Sequence, residues 1–299
     1  MSFITSIPSP SVSYLDVGPL RIHIYALCIL AGIIAATWMT DSRLTRRGGE
    51  RGVTLDIILW AVPLGLIGAR FYHVFTHPND YFYANADLLR VFYIWEGGNA
   101  IFGALLGGAL GAWIGCKTTG IRFWSFADAL APAMLLAQGI GRLGNYFNQE
   151  LFGQPTDAPW GLEIAYGNPA WPTGLPEGTL FQPMFLYEMI WNFAGIIVIL
   201  FAERVFYLRW GKAFGVYLVW YGLGRMYFEN IRLDPSETFL SVRTNVWAAI
   251  FALVVGILLI VIQQRRHPGQ ELSVYREGGP EVKLEASTPS SATSGKVSE

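Results

Sequence analysis

Apolar runs long enough to cross a bilayer constrain this chain more than any other feature. A spanning helix needs about 20 mostly apolar residues, and such runs centre on residues 22–39, 55–75, 100–116, 126–140, 184–201, 214–230 and 246–262. Of 299 residues, 53% are hydrophobic and only 14% are charged. A soluble domain carries about 25% charged residues, so the deficit points to lipid as the solvent. In lipid the backbone must satisfy its own hydrogen bonds, which leaves helices and closed barrels; unbroken apolar runs select helices. The expected fold is an all-α polytopic membrane protein with about seven transmembrane helices.

Charges between the runs set the expected orientation. The first connection holds Arg43, Arg46, Arg47 and Arg51, the third Lys117 and Arg122, the fifth Arg204, Arg209 and Lys212, and the last run is followed by Arg265 and Arg266. The second has Arg90 in its middle, and the fourth, residues 145–182, has no Lys or Arg. Cytoplasmic loops carry the excess of Lys and Arg. The N-terminus is therefore expected outside and the C-terminus in the cytoplasm, with Arg232 and Arg243 of the sixth connection a mild exception that suits arginines working at the outer interface. No Lys or Arg precedes Arg21, so a basic leader region is missing and the first run is expected to stay as a helix.

Residues 1–266 read as one transmembrane domain. Its external loop 145–182 is rich in Pro, Gly and aromatics, among them Trp160, Tyr166 and Trp171; Trp and Tyr favour the membrane interface, and an ordered cap is expected there. Residues 267–299 are polar and expected to be a disordered cytoplasmic tail. In the third run, Gly103, Gly107 and Gly111 are spaced for close helix contact, although scattered glycines are also tolerated in membrane helices.

The polar residues inside this apolar frame are the candidate site. Arg142, Asn145, Asn148, Gln149 and Glu150 follow the fourth run directly, and an arginine at such depth is costly without a partner or a task. Were the helix to continue past Ile140, Arg142, Asn145 and Gln149 would share a face. Tyr221, Arg225, Glu229 and Arg232 fall within an arc of about 80° on one helix, and Arg225 and Glu229 are spaced i, i+4 to pair. Two arginines from different helices can clamp a phosphodiester, because guanidinium matches phosphate oxygens bidentately. Arg70, deep in the second run, is a third candidate, or a side chain that reaches to the outer interface.

Lesser candidates surround these. Tyr25 and His23 enter the first helix, either as interface anchors or in the site. Glu188, early in the fifth run, needs a partner or a proton. Trp95-Glu96-Gly97-Gly98-Asn99 opens the third run, where Asn99 suits a helix cap; Asp56 and Asp128 look like first-turn acids. His73 and His77 lack a metal-binding motif, Cys28 and Cys116 read as small buried hydrophobes, and a net charge of −1 gives no bulk attraction for nucleic acid. No metal or cofactor is expected.

These residues resemble the prolipoprotein diacylglyceryl transferase family. Residues 141–150 followed by Leu151-Phe152-Gly153 are similar to its signature. Gly18-Pro19-Leu20 with Tyr25, Gly68-Ala69-Arg70, Trp95-Glu96-Gly97-Gly98 with Gly103, Gln182-Pro183 with Leu186-Tyr187-Glu188, and Tyr221-Gly222 with Arg225, Glu229, Arg232 and Asp234 are further matches in register. The resemblance covers about residues 15–265. It implies a multi-pass enzyme of the bacterial plasma membrane, active in lipoprotein biosynthesis. Such an enzyme transfers the diacylglyceryl group of phosphatidylglycerol to the lipobox cysteine of a prolipoprotein, forms a thioether and releases glycerol phosphate.

The resemblance also implies roles. Arg142 and Arg225 match the family's two essential arginines and would stabilise the departing phosphate. Glu229 would orient Arg225 or accept the thiol proton. Tyr25, Arg70, Asn145, Glu150, Tyr221 and Arg232 would bind or position substrate. Phe102 and Gln182 stand where many members have histidine, one of them a proposed general base, so no histidine base is assigned. The rival reading is a transporter or channel with an arginine-lined lipid or anion site. Its weakness is the lack of an evident internal repeat.

Overall fold

The computed structural model describes residues 6–18, 20–83, 86–94, 97–98, 100–234, 238–269 and 271–276. Pro19, Trp95, Glu96 and Asn99 lie outside the described residues. Seven long helices form the body: α1 (Ile24–Arg46), α2 (Val53–Thr76), α3 (Ile101–Thr118), α4 (Phe123–Phe147), α5 (Met184–Phe206), α6 (Lys212–Glu229) and α7 (Thr244–Arg266). By length and composition, 6 of them can cross a membrane. The exception is α6, which places Lys212, Arg225 and Glu229 in 18 residues.

The polarity of the bundle is inverted relative to a soluble protein. Leu59, Leu106, Ile197, Phe201 and Phe251 point outward, while Arg70, Asp128, Asn145, Glu188, Asn192 and Glu229 are buried. An apolar exterior around a polar interior is stable in hydrocarbon, where only the interior has to satisfy its hydrogen bonds.

Helices pack as α2 on α3, α1 on α4 and α6 on α7, with α5 against α4 and α6. The glycines of the third run do serve close contact. A methyl group on Gly107 would lie 3.2 Å from the Cα of Gly68, and one on Gly111 or Gly115 2.7 Å from the Cα of Ala61 or Ile57. Backbones touch along the whole α2–α3 seam, the geometry small residues permit. Gly222 and Gly256 seat α6 on α7 in the same manner.

One end of the bundle is capped. The loop between α4 and α5 is not structureless. It contributes β4 (Gly161–Glu163) and β5 (Leu180–Phe181), and β1 (Ser6–Ile7) pairs parallel to β4 while β5 runs antiparallel to it. Phe152, Leu162, Ile164 and Phe181 form a small buried core beneath this sheet, with Trp171 and Tyr146 packed on it. Two hairpins flank it, β2 (Tyr14–Val17) with β3 (Leu20–His23), and β6 (Thr238–Phe239) with β7 (Val242–Arg243).

The opposite end is tied by charge and by a strap. Glu203 of α5 receives Arg43 at 2.6 Å, Arg209 at 2.5 Å and also Arg47. Asp128 is not a first-turn acid of its own helix. It is fully buried and accepts the amides of Gly211 at 2.8 Å and Phe214 at 3.0 Å, so it caps the start of α6 from across the bundle. Asp56 does lie in the first turn of α2. The stretch after α7 also departs from the expected free tail: Val274 and Tyr275 are buried among Leu44, Ile57, Cys116 and Ile121. Tyr275 bridges to Ile121 as a short antiparallel pair, and its hydroxyl accepts the amide of Glu50 at 2.8 Å.

Candidate active site

Helix α4 runs beyond the apolar stretch, to Phe147. Arg142 and Asn145 therefore stay on the helix, one turn apart. Gln149 does not share their face, because it follows the C-cap Asn148 and has φ of 52°, in the left-handed region. The turn sends Gln149 into the cap, where its side-chain amide donates to the carbonyl of Pro10 at 2.9 Å and its carbonyl accepts the amide of Ala165 at 2.8 Å. Tyr25 of α1 lies against this turn: a methyl group on Gly144 would meet its Cα at 3.2 Å, so Gly144 is what lets α1 approach the signature.

Arg142 is held from both sides. Its guanidinium donates to Asn145 Oδ1 at 3.2 Å and forms an ion pair with Glu188 of α5. Asn145 passes the chain on, donating to Glu150 Oε1 at 2.9 Å, which Asn148 also reaches at 3.4 Å. The partner that a buried Glu188 requires is thus Arg142, 46 positions away in sequence.

Arg225 pairs with Glu229 at 3.1 Å, as the i, i+4 spacing predicts. Glu229 is 1% exposed and is held from outside its helix. Asn245 donates to its Oε1 at 3.0 Å and Arg243 at 3.3 Å, while Arg243 also donates to its backbone carbonyl at 3.0 Å. Arg232 closes a two-point pair with Asp234 at 2.7 and 3.0 Å. Buried though it is, Arg232 is held above the usual arginine range: desolvation pulls it down, and the hydrogen bond and charge of Asp234 outweigh that. The segment after α6 is stitched to the signature by the Gly153–Arg232 bridge and by the amide of Gln154 donating to the carbonyl of Ile231 at 3.1 Å.

These elements enclose a cavity of about 160 Å³ lined by Gln138, Arg142, Glu188, Asn192, Tyr221 and Arg225, with Trp191 and Phe228 as aromatic walls. A water molecule occupies about 30 Å³ of liquid, so the space admits a phosphoester-sized polar group. Arg142 interacts electrostatically with Arg225 and Arg232 as well as with Glu188. The two clusters, which the sequence reading placed together, line one cavity. Its aromatic wall is rigid: Trp191 and Trp220 stack with centroids 4.2 Å apart, and each indole donates to the other's backbone carbonyl, at 3.3 and 3.1 Å.

Other expected residues lie apart from the cavity. Arg70 is buried and donates to the carbonyls of Val91 at 2.9 Å, Gly97 at 2.5 Å, Gly98 at 3.2 Å and also Arg90, with Tyr81 under its guanidinium at 4.9 Å. It does not line the cavity; it gathers the connection between α2 and α3. Phe102 faces outward and leans on Tyr72. Gln182 pairs through its backbone with Gly153 and Gln154. His73 stacks on His77 with centroids 4.4 Å apart and bonds the Tyr81 hydroxyl at 3.1 Å. Asn245 and Gln138 were not singled out in the sequence, because an uncharged amide inside or at the end of an apolar run gives little signal of its own.

An inverted helical bundle with buried arginines and carboxylates around a polar cavity defines a polytopic membrane protein. Residues 13–262 match the family model described as prolipoprotein diacylglyceryl transferase. A phosphatidylglycerol–prolipoprotein diacylglyceryl transferase of Leifsonia xyli is 58% identical over 303 residues, covering 98% of this chain and 91% of the relative. The second such transferase of Streptomyces coelicolor is 43% identical, covering 98% of this chain and 92% of its own length. That of Bifidobacterium longum is 46% identical, covering 88% and 87%. The chain belongs to the prolipoprotein diacylglyceryl transferase family.

Proposed function

We propose that this chain, in the bacterial plasma membrane, transfers the diacylglyceryl group of phosphatidylglycerol to the lipobox cysteine thiol of a prolipoprotein. A C–S thioether forms, the glycerol C–O bond to phosphate breaks, and glycerol phosphate leaves. The observation that carries this reading is the cavity on which Arg142 and Arg225 converge from different helices, within a chain whose relatives are named for the reaction.

The physical demand of the step is charge on the leaving group. As the C–O bond breaks, negative charge collects on phosphate oxygens, and donors already aimed at that position stabilise it without reorganising. Arg142 and Arg225 are those donors. Glu229, saturated on one oxygen by Asn245 and Arg243, orients Arg225 rather than meeting substrate. Tyr221 lines the cavity, Asn145 and Glu150 fix Arg142, Arg232 adds positive potential, and Tyr25 braces the signature turn. Arg70, engaged by backbone carbonyls, serves the fold of the second connection instead of substrate. The free cysteine nucleophile has a pKa of about 8.5, and nearby arginines favour its thiolate.

The capped end faces outward in this reading, because the arginines of the connections gather at the other end. Purified Arg142→Ala is expected to insert in membranes and fail to lipidate a lipobox peptide. Normal lipidation by that variant would refute the assignment.

A further inference from the structure

The mechanism so far leaves the thiol proton without a destination, and Phe102 and Gln182, which stand where the family resemblance implies histidines, cannot take it. Two buried carboxylates stand near the arginines. Glu229 has one oxygen filled by Asn245 and Arg243, while its other, Oε2, lies 3.1 Å from Arg225 and is also without a hydrogen bond; what separates the two is that Glu229 does not line the cavity. Glu188 does line it. One of its oxygens pairs with Arg142, while the other, Oε1, is buried without a hydrogen-bond partner. Buried carboxylate oxygens are almost always satisfied, and an unsatisfied one on a residue that lines the cavity has capacity for a proton donor that arrives with substrate.

We propose that Glu188 is the general base of the transfer reaction; this rests on the transferase reading above. Oε1 accepts the proton of the lipobox cysteine. The thiolate's electron pair then forms the C–S bond to the glycerol carbon, and the electron pair of the breaking C–O bond stays on the departing phosphate, to which Glu188 can return the proton. Atoms and charge balance with no further reactant. The ion pair times the event. In the resting structure Glu188 occupies the guanidinium of Arg142 that the lipid phosphate needs. A phosphate that takes Arg142 bidentately releases Glu188 from its cation, and a carboxylate without its cation accepts a proton more readily. The base is thus switched on by the substrate whose displacement it serves. The charged and titratable groups facing Glu188 are Arg142 from α4, Tyr221 and Arg225 from α6, and Arg232 after α6.

The test compares the full-length wild type with Glu188→Gln and Glu188→Asp on two peptides, one with a lipobox cysteine and one with selenocysteine in its place. A selenol is already ionised at neutral pH and needs no base. Glu188→Gln is expected to lower kcat with the cysteine peptide by roughly 100- to 10,000-fold. It should leave KM for phosphatidylglycerol within a few-fold and recover most of the rate with the selenocysteine peptide. Glu188→Asp, which keeps the carboxylate, should retain partial cysteine activity. Equal loss on both peptides would assign Glu188 to structure and overturn the proposal, as would cysteine activity of Glu188→Gln within threefold of wild type. Inactivity of the wild type on both peptides would instead strike at the transferase reading itself.

Discussion

The Arg142–Glu188 pair offers a double-substitution cycle in which stability and activity should part company. Both side chains are largely buried, 21% and 8% exposed. Removing one member of a buried ion pair strands the other charge and costs about 3–5 kcal/mol, whereas replacing both is close to neutral. The partial exposure of Arg142 places each single change, Arg142→Gln or Glu188→Gln, at the lower end, about 3 kcal/mol. For a chain of this size each kcal/mol moves Tm by roughly 2–4 °C, so either single variant should lose about 6–12 °C. The double variant should recover to within about 1 kcal/mol of wild type. Tryptophan-fluorescence melts of the four proteins in identical micelles supply the numbers. Transfer activity should not recover in the double variant, because the donor to the departing phosphate is still absent; a loss of about 100- to 1,000-fold is expected. Losses in Tm that simply add, with the double variant worst, would refute the pairing.

Other expectations follow from particular contacts. Gly107→Leu drives a side chain into the α2 backbone, 3.2 Å from Gly68 Cα already at the first carbon, and should abolish accumulation of folded protein in membranes, read by detergent-resistant size-exclusion profiles. Tyr275→Ala removes a buried ring and its bond to Glu50; a loss of about 3–5 kcal/mol in stability with KM for phosphatidylglycerol unchanged is expected from melts and kinetics. Phe102→Leu should keep transfer within about threefold, since the ring faces outward against Tyr72 and surface changes of this kind are usually worth under about 0.5 kcal/mol. Gln149→Ala unties the cap from Pro10 and Ala165, and proteolysis of the α4–α5 loop should accelerate markedly while the helices survive.

Much of this was legible in one dimension because membrane helices leave local signatures. The apolar runs located the seven helices, and the i, i+4 spacing located the Arg225–Glu229 pair, since both depend on neighbours in sequence. Helix ends were less legible. The glycines of 141–147 left open in sequence whether α4 continues past Ile140; it does, and Asn145 and Glu188 satisfy Arg142 there. Contacts between distant segments were not readable at all. Glu188 announced that it needed a partner but not which; Arg243 stood out only as a positive charge in an unexpected connection; and Asp128 looked like an acid at its own helix start while capping α6. Arg70 is similar: its depth marked it as a candidate, but not that backbone carbonyls of the following connection engage it. Val274 and Tyr275, two side chains in a polar stretch, were too few to register as a packed strap.

The most direct measurement is mass spectrometry of a lipobox peptide incubated with the purified full-length chain and phosphatidylglycerol labelled in its headgroup phosphate. A mass gain of one diacylglyceryl group on the cysteine, resistant to thiol reductant, with stoichiometric release of labelled glycerol phosphate, is the predicted result. An unmodified peptide, or an adduct that keeps the label, would contradict it.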